Sequence, residues 1–209
     1  MKSEVRQKVV GPVETNCYLL INTENRQAVV IDPGENGDFI AMRIKELGYD
    51  CDTVLLTHGH FDHIGGLKAM REIMEIKVIV GENEKDLLAS PMANCSHWNG
   101  DGGFCEKADI FVKDGEFLNL AGFEIKCIET PGHTAGGFCY YIESEKILFS
   151  GDTVFSGSVG RSDLPTGSSA DLIRSVRDKI RKLPEDTRVF PGHGPETTIA
   201  DEIKYNPFF

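Results

Sequence analysis

Thr57-His58-Gly59-His60-Phe61-Asp62-His63-Ile64-Gly65-Gly66, which follows directly on the apolar run Val54-Leu55-Leu56, decides how the rest of the chain is read. Three imidazoles and one carboxylate (His58, His60, His63 and Asp62) fall within six residues. A catalytic zinc takes three protein ligands and keeps one position open, so this loop carries more nitrogen and oxygen donors than one such ion needs. The surplus implies two metal ions. A cluster that opens at the end of a strand is also in the context that turns a motif into a site. Of the six histidines in the chain, His58, His60, His63, His133 and His193 lie in glycine-containing loops, and His97 alone stands apart.

Moving outward toward the N-terminus, short apolar runs predict strands over 5–10, 17–21 and 28–31, separated by Gly11-Pro12 and by the turn residues 22–25. This is an antiparallel start. Asp38 is expected to cap a helix running to Leu47, with Gly48 just past its end. Beyond the cradle, Gly65-Gly66 opens a helix carrying Leu67, Met70, Ile73 and Met74, followed by a strand over 78–80 and a short helix over 82–89. Residues 90–107 read as an irregular polar loop holding His97 and Trp98, long enough to suspect a place at the substrate entrance. The second half repeats the alternation, with strands over 117–120, 123–128, 138–142 and 147–149, an amphipathic helix over 170–183 and a last strand over 189–190. Asp32, His58, His133, Asp152 and His193 each come shortly after an apolar strand. If those strand ends share one edge of two packed sheets with helices outside, every candidate ligand meets there.

Composition narrows the functional classes. A net charge of −11 opposes polyanions, and the cations of residues 174–182 lie along a predicted helix as a solvated face, so no nucleic-acid partner is expected. No stretch approaches a membrane span, and the first ten residues mix charges with isolated apolar side chains. No membrane partner is expected, and the location is expected to be cytoplasmic. The six cysteines show no Cys-x-x-Cys pairing; Cys17, Cys127 and Cys139 alternate with apolar neighbours as core residues do, while Cys95 and Cys105 in the polar loop are the two expected to react.

Pro131-Gly132-His133-Thr134, Ser150-Gly151-Asp152-Thr153 and Pro191-Gly192-His193-Gly194 complete a constellation with the cradle. The set resembles the metallo-β-lactamase superfamily over almost the whole chain. That resemblance implies an α/β fold, the four-layer αβ/βα sandwich with two β-sheets flanked by helices, as one domain over residues 1–209. It implies His58, His60 and His133 on a first metal, Asp62, His63 and His193 on a second, and Asp152 bridging them. Asp62 and Asp152 are the expected catalytic carboxylates, and Asp32 the outer carboxylate that orients a ligand histidine or the cradle backbone. The cofactor is expected to be two divalent ions, zinc first, with iron or manganese as alternatives.

Gly157-Ser158-Val159-Gly160-Arg161-Ser162-Asp163-Leu164-Pro165 and the ending Asn206-Pro207-Phe208 resemble the compact bacterial glyoxalase II-like hydrolases. Because only 16 residues follow His193, the helical C-terminal domain of full-length glyoxalase II is expected to be missing. The resemblance implies a hydrolase of small acyl thioesters, S-lactoylglutathione or a related hydroxyacyl thioester, working by attack of a metal-bridging hydroxide. Arg161 is the residue expected to bind a substrate carboxylate. Rival readings are a mononuclear iron persulfide dioxygenase using His58, His133 and Asp152, a lactonase of the same superfamily, and a metal-stabilised scaffold without turnover.

Overall fold

The computed structural model describes residues 2–100 and 102–209. Strands β1 (Ser3–Val10), β2 (Thr15–Asn22) and β3 (Ala28–Ile31) form an antiparallel meander, with Lys8 opposite Cys17 and Leu20 opposite Val29. Helix α1 (Gly37–Leu47) returns the chain so that β4 (Thr53–Leu55) pairs parallel to β3. The cradle follows, with helices α2 (Phe61–Ile64) and α3 (Leu67–Ile73), then β5 (Lys77–Gly81), helix α4 (Lys85–Leu88) and β6 (Ile110–Val112), both strands parallel additions. The first sheet thus runs β1-β2-β3-β4-β5-β6.

In the second half, β7 (Phe117–Leu120), β8 (Phe123–Glu129), β9 (Phe138–Ile142) and β10 (Ile147–Gly151) pair antiparallel in succession. A small hairpin, β11 (Val154–Phe155) and β12 (Ser158–Val159), leads to helix α5 (Ser169–Asp178). Then β13 (Arg188–Pro191) pairs parallel to β10, and β14 (Thr197–Thr198) and helix α6 (Ile199–Tyr205) end the chain. The second sheet runs β14-β13-β10-β9-β8-β7.

Alternation along the strands builds the layers. On β2, Tyr18 and Leu20 face the other sheet while Cys17 and Ile21 face outward, the two-residue period of a strand buried on both sides. Between the sheets lie Tyr18, Leu20, Ile31 and Leu55 with Phe123, Phe138, Tyr140, Phe149 and Phe190. Outside the first sheet, Ile40 and Ile44 of α1 and Leu67 and Met70 of α3 cover Val30 and Val54. Outside the second, Val176 and Ile199 of α5 and α6 cover Leu148 and Val189. The result is the four-layer α/β sandwich. No helix among the described residues is long and apolar enough to cross a membrane.

Several local expectations are corrected. Asp38 does not cap α1: the chain enters through Asn36 in the left-handed region without a side-chain cap, and Asp38 lies in the first turn. The helix over 170–183 is α5 from Ser169, capped by Ser168, which accepts the Asp171 N–H, and it breaks at Lys179 into a 3-10 turn over Ile180–Lys182. Pro184 disfavours the α region at Leu183, so the last turn tightens and stops. Of the 82–89 helix only Lys85–Leu88 is α-helical, after a 3-10 turn over Glu82–Glu84. Cys95 is buried and burial raises its thiol, which removes it from the reactive thiols; Cys105 is exposed.

Candidate metal centre

The ligand-bearing loops all leave the same edge. Parallel β3 and β4 end at Ile31 and Leu55 and lead into Asp32 and the cradle; parallel β10 and β13 lead into Asp152 and His193; β8 leads to His133. Two glycines permit the close approach. A Cβ on Gly34 would fall on the Asp62 carbonyl, and one on Gly151, at φ 48°, would fall on the Thr57 side chain. Thr57 is therefore clamped between the strand ends, and its hydroxyl donates to Asp32 Oδ2 at 2.7 Å.

Hydrogen bonds behind His58 and His133 decide which nitrogen of each faces inward. His58 Nδ1 lies 3.1 Å from Thr57 Oγ1, whose own proton is committed to Asp32, so Nδ1 is the donor and Nε2 is left with a lone pair. His133 Nδ1 donates to the Arg161 carbonyl at 2.7 Å, which leaves its Nε2 bare as well. These two bare nitrogens are 3.2 Å apart, and His60 Nδ1 is 2.9 Å from His133 Nε2. The His58 and His133 lone pairs, held this close without a proton between them, repel. A tetrahedral metal with bonds of about 2.0–2.1 Å separates its ligand nitrogens by roughly 3.3–3.4 Å, so the three imidazoles fit one divalent ion.

Asp62, His63 and His193 form the second set. His193 Nε2 lies 3.2 Å and His63 Nε2 3.4 Å from Asp62 Oδ2. Asp152 stands between the sets, with Oδ1 3.4 Å from His63 Nε2 and Oδ2 3.5 Å from His133 Nε2. His63 Nε2 and Asp152 Oδ1 are buried with no hydrogen-bond partner, the orphaned atoms expected where a cation belongs. Asp32 serves both ends of its expected role. Its Oδ1 accepts the Thr57 N–H at 2.8 Å and its Oδ2 takes His63 Nδ1 at 2.9 Å.

The electrostatics divide in the same way. Burial, and then the neighbouring His63 and His133, push His58 well below the ordinary imidazole range; burial and His133 push His60 down to about 3. His58 and His60 are thus neutral imidazoles. Burial would also lower His63, but Asp62, Asp32 and Asp152 outweigh it and carry it well above its ordinary value. Burial would raise Asp62 and Asp152, and the His63 charge holds both down instead. A proton on His63 therefore stands where a metal would bring positive charge.

The structure brings all seven expected ligands and Asp32 together. Arg161 contributes its backbone, and its exposed guanidinium forks onto Asp163 with bonds of 2.7 and 2.8 Å. The long loop meets the cradle through Asn94, whose carbonyl accepts the Phe61 N–H at 2.8 Å; His97 Nδ1 is 3.1 Å from the Pro91 carbonyl, and Trp98 stands 55% exposed. A cleft of about 290 Å³ lined by Pro12, Glu35, Phe61 and Phe104 borders Asp62. Sequence reading missed Thr15, whose hydroxyl donates to Asp62 Oδ2 at 2.7 Å across 47 residues. Nothing local marks a threonine at the start of a strand for that task.

Comparison with known proteins agrees with this geometry. The family model of the metallo-β-lactamase superfamily matches residues 10–193. The chain is 41% identical over 205 residues to the probable metallo-hydrolase YqgX of Bacillus subtilis, covering 97% of this chain and 96% of that one. It is 36% identical over 206 residues to the hydroxyacylglutathione hydrolase GloC of Haemophilus influenzae, covering 95% and 94%. Among solved structures, BLEG-1 B3 metallo-β-lactamase superposes with a TM-score of 0.92 at 38% identity, covering 98% and 99%. With this match, the cluster of five histidines and two aspartates and the four-layer sandwich, the chain belongs to the metallo-β-lactamase superfamily.

Proposed function

We propose that this protein hydrolyses small acyl thioesters, with S-lactoylglutathione or a related hydroxyacyl thioester as substrate, at a centre of two divalent metal ions. The observation that carries the reading is Asp152, one carboxylate reaching from the three-imidazole set to the Asp62–His63–His193 set. The choice of a thioester is supported by the likeness to GloC. His58 Nε2, His60 Nδ1 and His133 Nε2 would hold one ion, Asp62 Oδ2, His63 Nε2 and His193 Nε2 the other, and Asp152 both. Zinc is the proposed metal; the same donors suit iron or manganese. When bound, the pair supplies a water activated near neutral pH and positive charge for the carbonyl oxygen.

The chain's own groups do the rest. Thr57 and the Arg161 carbonyl orient the rings of His58 and His133 with Nε2 inward, and Asp32 does so for His63. A thiol leaving group, with an ordinary pKa of about 8.5, departs as thiolate without a strong general acid. Arg161 would exchange Asp163 for a substrate carboxylate, an inexpensive swap because the pair is exposed to solvent.

The test is release of free thiol from a panel of S-lactoylglutathione and uncharged acyl thioesters, run beside a chromogenic β-lactam and a persulfide with oxygen monitored. Thiol release faster than lactam opening, without oxygen uptake, is the expected result. Lactam opening alone would favour a β-lactamase instead, a reading supported by the likeness to BLEG-1, and oxygen uptake would favour the persulfide dioxygenase. Arg161→Ala should raise KM for carboxylate-bearing thioesters and spare neutral ones; equal losses on both would remove Arg161 from recognition.

A further inference from the structure

After β5 the chain turns through Glu82–Glu84 into α4, and Glu84 at that junction is completely buried. A buried carboxylate is costly unless a cation or strong donors compensate it. No charged side chain among the described residues acts on Glu84. Three donors do so instead. The Gly59 N–H donates to Oε2 at 2.7 Å, and the Thr134 hydroxyl and Gly136 N–H donate to Oε1 at 2.7 and 2.9 Å.

These donors sort by function. Gly59 lies between His58 and His60, whereas Thr134 follows His133 directly and Gly136 lies three residues beyond it. The two loops leave different sheets, one after β4 and the other after β8. The Gly136 contact needs glycine, because a Cβ there would sit 2.6 Å from the Glu84 backbone nitrogen; a Cβ on Gly59 would press on methyls of Leu87 and Leu88 at 2.8 and 2.9 Å. The second ligand set is held by other groups, Thr15 on Asp62 and Asp32 on His63.

We propose that Glu84 is the positioning residue of the three-imidazole set: its carboxylate ties the His58–His60 segment to the His133 loop across the two sheets and so sets that set's affinity for a divalent ion. The Asp62–His63–His193 set does not depend on it. The inference rests on the metal-centre reading and is independent of the choice of substrate.

Glu84→Gln is the informative change. The amide oxygen can replace Oε1 toward Thr134 and Gly136, but the amide NH2 then faces the Gly59 N–H donor to donor, so only the tie to the cradle is broken. Cobalt affinity is measured by chelator competition in two backgrounds, His193→Ala, which leaves the three imidazoles complete, and His60→Ala, which leaves the second set complete. Glu84→Gln should weaken binding by about 10- to 100-fold in the first background, as loss of an outer partner of a ligand does. In the second it should change binding by no more than about twofold, as uncoupled sites behave. Equal losses in both backgrounds would mean a general packing role and overturn the proposal, as would undiminished affinity in the first. If Glu84→Gln does not fold, Thr134→Val, which removes one donor and no charge, is measured in the same two backgrounds and must show the same selectivity. Wild-type stoichiometry checks the two-ion reading separately. One ion per chain overturns that reading and leaves the role of Glu84 standing, whereas a His193→Ala chain that binds no metal overturns the role of Glu84, as do the two outcomes named above.

Discussion

Asp32 shows how much one side chain can be asked to do. It sits at φ 51°, in the left-handed region that aspartate tolerates better than most residues, and is 2% exposed. Its carboxylate accepts the Thr57 N–H and hydroxyl and holds His63 Nδ1. Asp32→Ala strands all three donors in the interior, at about 1–3 kcal/mol each. The same change releases the His63 ring. Metal affinity should fall by about 10- to 100-fold, read by chelator competition, and unaltered affinity would remove Asp32 from the centre. Asp152→Ala tests the other shared carboxylate. Because Asp152 reaches both donor sets, elemental analysis should find both occupancies lowered, and a full complement of two ions would take it out of the bridge.

Among the elements, α6 and the β11–β12 hairpin matter more than their size suggests. Glu202 on α6 is 2% exposed; both its oxygens accept the Gly157 N–H, and it also takes the Thr197 hydroxyl and the Asn206 amide. Asn206 in turn donates to the Ser158 carbonyl at 2.9 Å. The hairpin tip so held leads straight to the Arg161 carbonyl that fixes His133 Nδ1. Glu202→Ala should lower the urea unfolding midpoint by an amount equivalent to about 1–3 kcal/mol, the cost of leaving buried donors without acceptors. It should also weaken metal retention through His133. A variant that keeps the wild-type midpoint would show that the hairpin is held by other contacts.

For the whole molecule, the neutral imidazoles predict acid lability of the metal-free chain. His58 and His60 lie below the ordinary value of 6.5 when folded, so the unfolded chain takes up protons as pH falls through 6.5 while the folded chain does not, His60 only near 3. Stability therefore drops with falling pH, by about 1.4 kcal/mol per unit for each such histidine. His63 has the opposite sign: its folded value is raised, so its contribution is complete below 6.5 and is lost as pH rises through the folded value. Chelator-treated protein should show its highest urea midpoint near neutrality and a clear decline from pH 6.5 to 5; a flat profile there would mean that His58 and His60 are not held neutral. Metal loading supplies the missing cation, and affinity should rise with pH as His63 gives up its proton. What could be read from the chain alone was whatever depends on short spacing and local periodicity: the candidate ligand types, the cradle, the long buried strands and the α/β class. The short elements β6, β14, α2 and α6 escaped because two to seven residues carry too little periodicity to stand out. Folding alone decided that His58 meets His133 across 75 residues, which nitrogen of each ring points inward, and that Thr15 stands behind Asp62 and Glu84 behind the cradle at Gly59. Side-chain direction at a sheet edge is set by partners from other strands, and no local pattern encodes them.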